Sequence, residues 1–213
     1  MNEFIFFHIL FGYNIKYISI YLLLSKQFLN IMKQIKSYKL TKNIYLRLIN
    51  LNDAKFIYNL RTNKKLSKYL NPTSLKFDDQ ILWMENYFKR YNKKLEYYFK
   101  FQIKKKNKFY DIGVARIIKL SKNNFSFGSW IMKPGLPSWI ALECALSIYE
   151  FSFVLKKFKK NLMWMDLKNK KVITFHQLMG AVESARDKKQ LYAYLTNSMY
   201  KRIRKKFSFF YPI

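Results

Sequence analysis

Between Leu136 and Lys157 the chain runs through a helical stretch whose only charges before the last turn are Glu143 and Glu150. With Ser147 these make one narrow polar line, and nearly every other position is apolar. A helix that is apolar almost all round must be packed deeply. The segments before it show against what. Tyr97, Phe99, Phe101 and Ile103 alternate with Tyr98, Lys100, Gln102 and Lys104, the period of a half-buried strand. A turn at Lys106-Asn107-Lys108 leads into a second strand over 109–119. Phe125 to Met132 reads as a third, more evenly apolar, as a central strand should be.

The remaining segments fit around that sheet. Ile44, Leu46 and Leu48 alternate with Tyr45 and Arg47 as a strand. Asn50 with Asp53 is a capping signal for a helix carrying Ala54, Phe56, Ile57 and Leu60 on one stripe. Asn71-Pro72 marks a loop, and a second helix starts near Asp78, with Ile81, Leu82, Phe88 and Tyr91 at helical spacings. After the long helix come a short strand from Leu162 to Leu167, a helix from Asn169 to Met179 ended by Gly180, and a strand pair over 181–186 and 189–196. Lys201 to Lys206 (KRIRKK) closes the chain as a basic tail, assigned to residues 200–213. Three strands in a meander followed by a strand–helix–strand crossover predict an α/β fold built on a mixed sheet, of the α+β kind. The chain of 213 residues suits one domain, over residues 32–199.

Residues 1–31 are apolar and aromatic, but their longest uncharged run, Phe4 to Ile15, falls short of the roughly 20 residues of a membrane span. Glu3 and the want of a small-residue cleavage site speak against a signal peptide. Two readings stay open: an upstream extension preceding a start at Met32, or a segment lying on a membrane surface.

Charge bounds the partners. Lys and Arg total 41 against 12 Asp and Glu, a formal net charge of +29. Lys, Asn, Ile, Phe and Tyr are enriched together, as in A+T-rich genomes, which accounts for much of the Lys excess. The scarcity of acids still favours anionic partners. Cys144 is the single cysteine, which points to a reducing compartment and a cytoplasmic location. With only His8 and His176 beside it, no metal site is expected.

Met165-Asp166-Leu167-Lys168-Asn169, then Val172-Ile173, Phe175-His176 and Gly180-Ala181, resemble the GNAT superfamily of N-acetyltransferases, in which many members carry an Asn, an apolar residue three on and a Gly eleven on. YLRLINLNDA, the Trp83 helix, Ile112-Gly113-Val114 and Gly128-Ser129-Trp130-Ile131 fit the same pattern, so the resemblance spans residues 40–196. It implies a central sheet of six to seven strands with four helices, and transfer of an acetyl group from acetyl-CoA to a primary amine. GSWIMKPGLPSWIALE and VITFHQLMGA look most like the branch associated with surface polysaccharides, which implies a nucleotide-linked amino sugar as acceptor. Enzymes acting on protein N-termini or other small amines are the alternative, and a non-catalytic basic module that binds nucleic acid or membrane is a third.

The resemblance also assigns residues. Backbone amides of Trp130, Ile131 and Met132 are expected where two parallel strands splay, polarising the thioester carbonyl. Asn169 is expected to hold the pantetheine arm, or simply to cap its helix. The family's loop before the long helix is Q/R-x-x-G-x-G/A; here Pro137 and Trp139 stand at the glycine positions, with Gly135 upstream. Lys133, Trp139, Ile140 and the helix N-terminus are therefore the expected phosphate and CoA contacts. His176 stands where relatives often carry a Tyr acid, and is either that acid or a packing histidine. For the base the field is Glu85, Glu96, Asp111, Glu143 and Asp166, with Glu143 the candidate and stabilisation of its own helix the competing role. Trp83, Tyr97 and Tyr98 are candidates for stacking on a nucleotide base, or core.

Overall fold

The computed structural model describes residues 36–212; the expectations for residues 1–31 lie outside the described residues. Eight strands form one sheet in the order β1-β2-β3-β4-β5-β6-β8-β7. They are β1 (Ser37–Tyr38), β2 (Ile44–Leu48), β3 (Glu96–Lys105), β4 (Lys108–Lys119), β5 (Asn124–Met132), β6 (Lys160–Asp166), β7 (Val182–Arg186) and β8 (Gln190–Thr196). Every neighbouring pair is antiparallel except β5 and β6. That one parallel pair needs a crossover, and the apolar helix Ser138–Tyr149 supplies it.

Helices α1 (Ala54–Thr62) and α2 (Phe77–Asn92) lie on one face of the sheet, where Ile57, Leu60, Met84 and Tyr87 pack on Tyr98, Val114 and Ile131. The other face carries α3 (Ser138–Tyr149), α4 (Lys170–Leu178) and α5 (Asn197–Lys206), packed on Leu46, Phe99, Phe101, Ile117 and Phe125. The alternation along β3 thus divides its side chains between two cores, Phe99 and Phe101 to one and Tyr98 to the other. A π-helical segment, Glu150–Leu155, continues α3. By length and composition Ser138–Leu155 could cross a membrane, but 67% of it is buried inside this fold.

Two departures from expectation have simple causes. β1 has two residues, too few to show a period. The KRIRKK segment is not a tail: it lies in α5, where Tyr200 and Ile203, three apart, are 1% and 7% exposed and the lysines and arginines cover the outer side. Phe210 and Tyr211 beyond it are buried as well, and the Lys42 amide donates to the Phe210 carbonyl at 2.8 Å. A run of charge disguised a helix with a narrow apolar stripe.

Candidate active site

β5 and β6 pair only at Asn124 with Lys160 and Phe125 with Asn161. Beyond that point the strands part, although β5 continues to Met132 and β6 to Asp166. The first amide past the fork, that of Phe127, is taken by the side-chain oxygen of Asn161 at 3.1 Å. A side chain thereby ends the ladder instead of leaving a buried donor orphaned.

Further along, β5 bulges. Arg116 of β4 opposes Gly128 and Val114 opposes Ile131, so Ser129 and Trp130 together face Ala115. Ser129 has φ +48°, in the left-handed region unusual for a residue with a Cβ. Lys133 donates to Ile112 O on β4, so the two-residue period turns the Ile131 amide to β4 as well and aims those of Trp130 and Met132 at the open edge. Of the three expected amide donors, Ile131 is therefore spent within the sheet. Gly113, opposite Met132, keeps this region close: a Cβ there would stand 2.5 Å from Ile131 O and 2.6 Å from Met132 Sδ.

The start of α3 lies after Lys133-Pro134-Gly135-Leu136-Pro137, with Gly135 at φ +77° and Pro137 as an N-cap without a side-chain hydrogen bond. The Ile140 amide donates to Pro137 O at 3.0 Å, which leaves the first-turn amides of Ser138 and Trp139 open to an anion. Trp139 is 45% exposed on that turn, while Ile140 is buried in the core. Lys133 does not add its charge there: its ammonium sits 5.1 Å from the Phe56 ring centroid, on the α1 side of the sheet. At the end of β6, Asn169 caps α4 by accepting from Val172 N at 3.4 Å. What it can still offer a ligand is its amide N–H pair.

The expected acid and base sit elsewhere in function. His176 is 4% exposed among Phe127, Trp130 and Phe175, with Nδ1 3.1 Å from Tyr149 Oη. Burial pulls it down to about 4, so at neutral pH the ring is uncharged and has no imidazolium proton to deliver. Glu143 is fully buried and accepts from the Asn43 amide and Nδ2 at 2.6 and 3.0 Å, which occupies both oxygens in holding the entry to β2. The other acids are engaged or remote. Glu96 binds Arg90 and Arg116 at 2.6 and 3.2 Å, Asp111 binds Lys100 and Gln102, and Asp166 accepts from Lys168 N. Glu85 is exposed on α2.

On the α1–α2 side a cleft of about 290 Å³ opens, lined by Arg61, Gln80, Trp83, Tyr98, Arg116 and Ser129 among others. Ser129 is the bulge residue, so the cleft meets β5 where it leaves β6. Burial pushes Tyr98 up to about 12. Trp83 carries the Arg90 and Arg116 guanidiniums at 5.3 and 5.5 Å from its ring, and Tyr97 turns to the opposite core. Asp79 is the one carboxylate among the cleft's lining residues; it is exposed at the rim and bonded to Ser74 Oγ. Arg61, Gln80, Arg116 and Asp79 escaped the sequence reading because no motif marks them. The one available signal was Gln80 and Trp83 at a spacing of three on α2.

The acetyltransferase (GNAT) domain family matches residues 43–182. No curated protein is similar enough to be matched. Among solved structures, apo FdhC, described as a nucleotide-linked sugar GNAT, shares 32% identity over 83% of this chain and 100% of its own, with a TM-score of 0.74. A spermidine N-acetyltransferase from Vibrio cholerae, in complex with CoA and spermine, shares 21% over 75% of this chain and 98% of its own, at 0.65. At that identity the second likeness is one of fold.

Proposed function

The chain belongs to the GNAT acetyltransferase family, and on that premise we propose that it acetylates the primary amine of a nucleotide-linked amino sugar, with acetyl-CoA as donor. One observation carries the reading: the fork between β5 and β6 and the cleft beneath α1 and α2 meet at Ser129. A thioester lying in the fork and an amine arriving through the cleft would come together there, as direct transfer in a ternary complex requires.

Within that arrangement the Trp130 and Met132 amides stabilise the oxygen that gains charge as the amine nitrogen bonds to the carbonyl carbon. Asn169 and the open edge of β5 hold the pantetheine arm, and the first turn of α3 meets the CoA phosphates. The carbon–sulfur bond then breaks and the thiolate takes a proton from water. Asp79, as the cleft's one carboxylate, is the candidate acceptor for the proton the amine gives up. The nucleotide-linked acceptor is supported by the relative at 32% identity and by the net charge of +29, which attracts anions and repels polyamines. A cytoplasmic location goes with the reading, supported by the single, buried Cys144.

Free-thiol release from acetyl-CoA, followed with UDP- and dTDP-linked amino sugars, spermidine and a peptide with a free N-terminus, tests this. Turnover should be fastest with a nucleotide-linked sugar. Faster turnover of spermidine or the peptide would remove the sugar acceptor, and silence with every amine would remove acetyl transfer.

A further inference from the structure

The cleft that meets β5 at Ser129 is furnished with hydrogen-bond donors that none of the described residues uses. Gln80 is 6% exposed, and its buried Nε2 has no partner among the described residues. Arg116 gives Nη1 to Glu96 at 3.2 Å, while its buried Nε is likewise without a partner. Arg61 donates through Nε to Thr73 Oγ1 and through Nη2 to Asn71 O, both at 2.9 Å, which fixes the guanidinium plane against the 71–73 loop. A buried unsatisfied donor costs on the order of 1–3 kcal/mol, so two in one cleft call for an acceptor-rich occupant.

Charge narrows the occupant. Arg61 is disfavoured as a cation by its burial, which Tyr98 partly offsets, and the neighbouring Arg116 adds the repulsion expected of two guanidiniums sharing a space. Glu96 offsets Arg116, but Arg90 draws on the same carboxylate at 2.6 Å. Asp79 is at the rim and bonded to Ser74. An anion with several acceptor oxygens would satisfy the idle donors and relieve the repulsion together, and guanidiniums suit phosphoryl oxygens in particular.

We propose that Arg61, Arg116 and Gln80 form a phosphoryl-recognition subsite, which selects acceptors carrying a phosphate close to the amine-bearing ring. This rests on the acetyl-transfer reading for its purpose, but binding at the subsite does not depend on turnover. It also makes the cleft hostile to polyamines, because their charges would meet two arginines.

The first test is calorimetric titration of inorganic pyrophosphate into protein saturated with CoA, so that the cofactor's own phosphate contacts are filled. Wild type should bind, and Arg61→Gln should bind about 10- to 100-fold more weakly, the worth of one charged hydrogen-bonding group. Because Arg61 also anchors the 71–73 loop, Gln80→Leu serves as the second variant. It keeps the volume, removes an unpaired buried amide, and should leave Tm unchanged or higher while weakening pyrophosphate. Absence of wild-type binding, or equal binding by all three proteins, overturns the subsite. The second test compares an amino sugar free, as its 1-phosphate and as its nucleoside diphosphate. The KM of the phosphorylated forms should rise in both variants with the KM for acetyl-CoA unmoved. A single phosphate sufficing points to sugar phosphates, and a need for the diphosphate points to nucleotide-linked sugars. A free sugar used as well as either overturns the proposal. Silence with every amine would count against acetyl transfer and leave the pyrophosphate result to decide the subsite.

Discussion

His176 shows how the environment of a single residue overrides its identity. A histidine seven residues after Asn169 suggests an acid; in place it is a neutral, packed ring bonded to Tyr149. Its burial has a measurable price. The folded state holds it at about 4 against 6.5 unfolded, so the unfolded chain binds a proton first as pH drops. Stability is therefore full above pH 6.5 and declines as pH falls from there through 4, by up to roughly 3 kcal/mol from this group. His176→Gln keeps a hydrogen-bonding group beside Tyr149 but does not titrate. Urea denaturation between pH 7 and 4 should show a flatter acid limb for the variant than for wild type; parallel limbs would assign the loss to other groups. The resemblance put Trp130 and Met132 on the strand before the long helix and Asn169 just past the following strand, which is where β5 and β6 carry them. The strand period could not tell which way Ile131 points, because the bulge at Ser129–Trp130 resets the alternation, with Gly128 just before it the one local signal.

At the scale of elements, the polar line on α3 has a use that periodicity alone did not reveal. Glu143 receives Asn43, Ser147 Oγ meets Thr41 Oγ1 at 2.8 Å, and Glu150 accepts from Tyr200 and from Arg204 at 3.0 Å. One stripe of a buried helix thus fastens both the chain entering β2 and helix α5. Breaking its last member should loosen α5 first. Glu150→Ala leaves the buried Tyr200 hydroxyl without its carboxylate and should cost about 1–3 kcal/mol. Arg204 is about half exposed and contributes little to that figure. Hydrogen exchange should show the loss as faster exchange over 197–206 than over α1, and uniform acceleration would refute the local fastening. The seven longer strands and four of the helices were readable because their apolar periods run for several residues. α5 was not, because two buried side chains among five basic ones leave too faint a stripe.

For the whole molecule, the meander, the crossover and the long apolar helix sufficed to specify the architecture, since a single parallel pair in an otherwise antiparallel sheet leaves few topologies. The cleft at Ser129 was not foreseeable, because it is assembled from α1, α2, the 71–74 loop and three strands far apart in sequence. A net charge of +29 acts over this whole surface. Association with a nucleotide-linked acceptor should weaken as salt rises from 50 to 500 mM, seen as a falling kcat/KM, whereas an uncharged amine should show little change. Equal salt response for both would reduce the charge to a compositional trait. The fork between β5 and β6 has a further meaning for the empty enzyme. Most sheets expose their unpaired rims at the periphery, where solvent can satisfy them. This one keeps a rim in its middle, shaped for a guest with amide groups of its own, so a pantetheine chain would enter as a substitute strand, finishing the sheet on every catalytic cycle and leaving it incomplete between them.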